Sequence, residues 1–164
     1  MEKIKLSLER ILDVNEGLNI VENYTDLPQK DTYWLGRLAD SCASKIKAYN
    51  KLVNTLREEI GARQKPALDL YNKIEDKNSV DAKELLDKIN LLNKEFSDKH
   101  NSILDIEEEV NHIQFALSAF IAKEDITRVE TKNEVKVETT IKKGQNLVPM
   151  KFYKLLGDFI IESE

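Results

Sequence analysis

The chain has 164 residues, 41% of them apolar and 34% charged, with a formal net charge of −5. That length suits one domain, 1–164, with a core of its own. The acidic balance argues against a general nucleic-acid binder, which needs a basic face to displace counterions, and a lone cysteine excludes an intrachain disulfide.

The N-terminus, Met1-Glu2-Lys3-Ile4-Lys5-Leu6, carries charges where a signal peptide needs an apolar run. The longest uncharged apolar stretch, Ile113 to Ala122, is about ten residues, and a spanning helix needs about 20. These features predict a cytoplasmic protein without a membrane segment. Ile4 to Leu6 reads as a short strand or a lead-in. Ser7 then suits the N-cap of a helix carrying Leu8, Ile11, Leu12, Leu18 and Val21 on one side. Gly17 weakens that helix by about 1 kcal/mol relative to alanine. Tyr24-Thr25-Asp26-Leu27-Pro28 ends it, because the residue before a proline disfavours helical dihedrals.

An apolar ladder dominates the middle of the chain. It reads Leu35, Leu38, Cys42, Tyr49, Leu52, Leu56 and Ile60, and resumes at Leu85, Ile89, Leu92, Phe96, Ile103, Ile106, Val110, Ile113, Leu117 and Phe120. Steps of three and four place these side chains on one helix stripe, the seam of a coiled coil or narrow bundle. The polar break Glu75-Asp76-Lys77-Asn78-Ser79 divides the ladder into two arms of an antiparallel hairpin, 31–76 and 79–122. Asp31 or Thr32 caps the first arm and Ser79 the second, with Asp81 favouring the positive helix end. Gly61 and Pro66 predict a bend or short break between them. Ile103-Leu104-Asp105-Ile106 and Ile113-Gln114-Phe115-Ala116-Leu117 also tolerate a strand, since period alone does not settle short apolar runs. The ladder favours one helix through Phe120.

From Asp125 the composition turns β-branched. Ile126, Val129, Val135, Val137, Thr139 and Ile141 predict a β-hairpin within 125–142, turning at Thr131-Lys132-Asn133, with lysine and glutamate guarding its edges. Pro149 suits the first turn of a terminal helix over 149–161, whose apolar face is Met150, Tyr153, Leu156 and Ile160. The fold expected is mainly α: a long antiparallel helical hairpin, shorter N- and C-terminal helices and a small β-hairpin, with α+β as the alternative.

Chemistry-bearing patterns are sparse. Glu109 and His112 have the i, i+3 spacing used by diiron carboxylate bundles, but such a bundle needs a second element, and Phe96 and Ser97 stand where His100 would want its glutamate. Cys42 occupies a seam position, which suits inert packing. There is no glycine-rich phosphate loop, serine elbow, paired-cysteine motif or His-Glu zinc motif. The expectation is a non-enzyme with no catalytic residues, no cofactor and no metal.

Two places suit a protein partner instead. Tyr33-Trp34 sets the only tryptophan beside a tyrosine, and such residues dominate interface hot spots. The segment Phe152 to Ile161 is apolar on more than one side, so it either wedges into the core or forms an interface. The candidate partner-binding residues are therefore Tyr33, Trp34, Phe152, Tyr153 and Phe159. Thin arms and short helices leave apolar surface to cover, which predicts a homo-oligomer.

Glu95-Phe96 with Ser102-Ile103-Leu104-Asp105-Ile106-Glu107-Glu108-Glu109-Val110, and the ending Leu147-Val148-Pro149-Met150 through Phe159-Ile160-Ile161-Glu162, resemble a family of small phage proteins of unknown function. The resemblance implies an N-terminal helix, a charged helical hairpin, an extended acidic stretch over Ile103 to Val110 and a Pro-initiated terminal helix. The β-rich segment and the long ladder lie outside that pattern. A phage origin would place the protein in the host cytoplasm. The function expected is then a non-enzymatic protein-binding module, a phage accessory protein that engages or inhibits a host defence complex. The alternatives are a structural or assembly protein acting through self-association, and a small-ligand-sequestering protein.

Overall fold

A computed structural model of the chain describes residues 2–132 and 135–161. It is mainly α, with strand β1 (Lys3–Ser7), helices α1 (Leu8–Val21), α2 (Gln29–Lys73) and α3 (Val80–Leu104), strands β2 (Glu107–Asn111) and β3 (Phe115–Ala116), a 3₁₀ turn at Leu117–Phe120, strands β4 (Ile126–Lys132) and β5 (Val135–Ile141), helix α4 (Met150–Leu155), a second 3₁₀ turn at Gly157–Phe159 and strand β6 (Ile160–Ile161). Where the sequence reads as one domain, the fold gathers into two compact units, one around Arg10–Ser44 and the residues from Glu109 onward, the other around Lys45–Glu108.

The second unit is the helical hairpin. Leu56, Ile60 and Leu92 form its buried centre, with Phe96 and Ile103 packed against them. The seam departs from the ladder at two places: Val53 is buried while Leu52 is 46% exposed, and Ile106 is 41% exposed. Ser79 caps α3 by accepting from the Ala82 N–H at 3.2 Å. The expected break between Gly61 and Pro66 does not occur, and α2 runs through both residues. Pro66 and Ala62 are exposed, so water can satisfy the carbonyl that the proline leaves without its helical donor. Tyr49 Oη and His100 Nε2, 2.9 Å apart, tie the arms together, and the His100 ring stacks on Phe96.

The second arm is shorter than 79–122. Helix α3 ends at Leu104, and three consecutive glutamates explain why. Carboxylates oppose the negative end of a helix, whereas in a strand they alternate between faces and find separate cations. Glu108 meets Lys45 at 2.6 Å and Glu109 meets Lys3 at 3.7 Å. Helix α2 also begins earlier than Asp31 or Thr32, because the Thr32 N–H already donates to the Pro28 carbonyl.

Across the arms, both terminal guanidinium nitrogens of Arg63 donate to the Glu95 carboxylate, at 2.7 and 2.8 Å, and Lys99 lies 3.0 Å from it. The Arg63 hydrogen bond, then that from Lys99, holds the Glu95 carboxyl down at about 2, from an ordinary 4.5. A depressed carboxylate stabilises the fold above its unfolded pKa, and that contribution disappears as pH falls through the folded value. The stability difference between the wild type and Glu95→Gln should therefore be constant above about pH 5 and vanish between about 4.5 and 2. Denaturant titrations at stepped pH measure it, and a pH-independent difference would remove the ion pair as its cause.

In the first unit, β1 pairs with β2, β3 with β6 in parallel, and β4 with β5 in antiparallel register from Ile126↔Ile141 to Lys132↔Val135. The turn expected at Thr131-Lys132-Asn133 reaches outside the described residues at Asn133, as does the family-like ending at Glu162. The terminal helix is not 149–161. It stops at Leu155, passes through a 3₁₀ turn and ends as a strand, because Ile160 and Ile161 pair with Phe115 and Ala116. Its buried face is Phe152, Leu155 and Leu156, while Met150 is 71% exposed.

Gly17 makes that docking possible. A Cβ there would lie 2.1 Å from Leu156 Cδ1 and 3.0 Å from Leu155 Cβ. Alanine gains about 1 kcal/mol of helix propensity, but overpacking a filled core costs about 1–3 kcal/mol. Leu156 is fully buried, so its side chain must shift within a filled core, and Leu155 Cβ cannot rotate away; the clash wins. Gly17→Ala should lower stability in denaturant unfolding; a rise would show that α4 yields freely.

Candidate protein-interaction surface

The first turn of α2 sets out Lys30, Asp31, Tyr33 and Trp34. Opposite them runs the extended stretch from His112 to Ala116, with Ile161 at its side, and these elements line a concavity of about 420 Å³ that includes Trp34. Trp34 is half-buried there. Tyr33 is 60% exposed and sits edge-on to the indole, the ring centroids 5.1 Å apart at 75°. Lys30 and Gln114 are exposed and Ile161 is 44% exposed, so an aromatic and aliphatic centre is ringed by polar groups. Protein interfaces commonly place an apolar anchor that loses its water within a wet rim.

His112 belongs to this rim. Its backbone N–H donates to the Glu2 carbonyl at 2.9 Å, its Nδ1 lies 3.8 Å from the Glu2 carboxylate, and its ring packs 6.2 Å from Phe159. The i, i+3 relation to Glu109 needed a helix; on extended backbone the two side chains diverge. Among the described residues no group of three or more His, Cys, Asp or Glu side chains is placed to hold a metal ion. Cys42 is fully buried, and burial pushes its thiol up to about 11, far from the thiolate a nucleophile requires.

The five candidate partner residues do not share one environment. Tyr33 and Trp34 reach the surface. Phe152 and Phe159 do not: both are fully buried and present nothing to a partner. Phe152 meets Phe120 at 4.9 Å and 63°, and Phe120 also contacts Phe115, so the C-terminal segment is wedged into an aromatic core. Tyr153 lies between, half-buried, donating to Asn146 Oδ1 at 3.1 Å while burial raises its phenol above the ordinary value. Lys30 and Gln114 carry no signal in the sequence, and Asp31 and His112 stand out there only as a helix cap and a metal-ligand candidate. Pro28 just before the helix start is the one local signal that places Lys30 and Asp31 in the same turn as Trp34.

A larger concavity, about 740 Å³, lies between the α1–α2 turn and β4. Its strongest polar groups are already matched to each other. Arg128 donates to both Asp26 carboxylate oxygens at 2.8 and 2.7 Å and to the Leu147 carbonyl at 2.8 Å, with its guanidinium 3.8 Å over the Tyr24 ring. The Trp34 concavity is smaller, and an aromatic side chain rather than an ion pair stands at its centre.

Among the described residues no helix is long and apolar enough to cross a membrane. Comparison with family models, with curated proteins and with solved structures finds no match for the chain.

Proposed function

We propose that the protein is a non-enzymatic protein-binding module that engages a partner through the Tyr33–Trp34 face. The observation that carries this reading is a half-buried tryptophan set in a concavity beside a tyrosine that is 60% exposed. Tryptophan and tyrosine at the centre of a polar rim account for a disproportionate share of binding energy at protein interfaces. With the resemblance to small phage proteins, the partner is a host protein, met in the host cytoplasm by a phage accessory factor that engages or inhibits it.

Trp34→Ala should weaken the complex by about 2 kcal/mol or more, some thirtyfold, and Tyr33→Ala by less, with the circular dichroism of both variants unchanged. Affinity capture from host lysate identifies the partner, and titration of the purified pair measures the loss. Equal affinity for both variants and the wild type would end this reading.

A second reading, assembly through self-association, draws on the hairpin unit, where Leu70, Val80 and Leu91 are 55%, 71% and 68% exposed. It predicts a concentration-dependent mass without any host partner.

A further inference from the structure

The β4–β5 ribbon has one engaged strand and one free strand. On β4, Ile126, Arg128 and Glu130 are half-buried. On β5, Val135 through Thr140 are all exposed, and only Ile141 is buried. Among the described residues the sheet has just these two strands, so the outer edge of β5 carries main-chain N–H and C=O groups with no strand beside them. Such an edge is a template for another strand. Two of the devices that normally blunt it are missing from β5: it contains no proline, and its register runs from Lys132↔Val135 to Ile126↔Ile141 without a bulge, so only the charges of Lys136 and Glu138 guard it.

Its side chains also match themselves. Val135, Val137 and Thr139 alternate with Lys136, Glu138 and Thr140, so each face is uniform in character. Within the ribbon neither charge is answered directly across, since Lys136 faces Thr131 and Glu138 faces Val129. We propose that a second copy of this chain supplies the missing neighbour: β5 pairs antiparallel with β5 about a two-fold axis at Val137, giving a continuous four-stranded sheet.

Symmetry restricts the choices. The same patch must face itself, so each pair joins residues of equal parity and the axis falls on a residue. Centring on Lys136 or Glu138 sets like charges face to face, which is destabilising. Centring on Val137 sets Lys136 opposite the partner's Glu138 twice, Val135 opposite the partner's Thr139 twice, and Val137 opposite itself. Opposite charges and β-branched neighbours at that spacing each favour the pair. Closure about the axis uses up the β5 edge of each copy, so pairing through β5 gives a dimer rather than a fibre. The charges expected to guard the edge would instead select its partner.

Sedimentation equilibrium on the full chain tests this. The mass should rise with concentration from 18.9 kDa to twice that value. Lys136→Glu and Glu138→Lys, both at exposed positions, should each weaken dimerisation by about tenfold or more, because each turns two attractive pairs into repulsive ones. An equimolar mixture of the two variants should dimerise again, since their charges are then complementary. A mass of 18.9 kDa at every concentration overturns the proposal. So does a dimer indifferent to both substitutions, or a mixture that fails to associate. The inference is independent of the Trp34 face, and Trp34→Ala should leave the dimer midpoint unchanged.

Discussion

Phe152→Ala should destabilise the protein by about 3–5 kcal/mol, the range for emptying a fully buried phenylalanine site. That is a large share of the roughly 5–15 kcal/mol that separates folded from unfolded states. Phe152 has no exposed surface, and its ring stands edge-on to Phe120, whose own ring touches Phe115 and Tyr153. Truncation leaves a cavity between elements that arrive from distant parts of the chain, and neither has room to collapse into it. Phe152→Leu keeps much of the volume and should cost about 1 kcal/mol. Urea unfolding of both variants decides the matter. If Phe152→Ala left the midpoint within error and affected only partner binding, the residue would be an interface anchor and the aromatic core would be wrong.

The second large effect is expected at Arg128. Its side chain and that of Asp26 are each 13% exposed, so the pair is largely removed from water. Arg128→Met keeps an apolar stem near Tyr24 but leaves the Asp26 carboxylate and the Leu147 carbonyl without their donor. Breaking one side of a buried ion pair costs about 3–5 kcal/mol, mostly the penalty of the abandoned charge, and the residual exposure places this case near 3 kcal/mol. Arg128→Met combined with Asp26→Leu removes the penalty along with the pair and should recover most of the loss. Differential unfolding of the four members of that cycle measures the coupling. Additive losses would show that the pair contributes nothing beyond its two halves.

Much of the architecture was legible along the chain because it rests on local rules. Ser79 caps a helix by its own side chain, and the β-branched run from Ile126 to Ile141 forms its hairpin by neighbours in sequence. The helical arms follow from apolar spacing over many turns. The reading failed where spacing served two structures equally. Val110, Ile113 and Phe120 continue the ladder and are indeed buried, yet they reach the core from strand, loop and 3₁₀ turn. Burial follows the ladder at these three positions though not at Ile106, which is 41% exposed, and conformation does not follow it, because apolar side chains three apart can be buried from extended backbone as well as from a helix.

The candidate surface was half legible. Tyr33 and Trp34 announce themselves by residue type. The groove around Trp34 needs Gln114 and Ile161, brought from far along the chain, and no local rule links them to position 34. Phe152 and Phe159 carry the same aromatic signal as Trp34 but lie in the core. Exposure depends on what packs against a side chain rather than on the side chain itself. Gly17 shows the same division. By propensity it is a weak point in a helix; only the approach of Leu155 and Leu156 makes it a requirement. The sequence by itself determined the helical class, the hairpin and its cap, since those follow from period and nearest neighbours. Tertiary structure decided which cations meet the glutamates where the second arm stops, which aromatics are buried and where Trp34 finds its groove, since those depend on contacts between elements that are not neighbours in sequence.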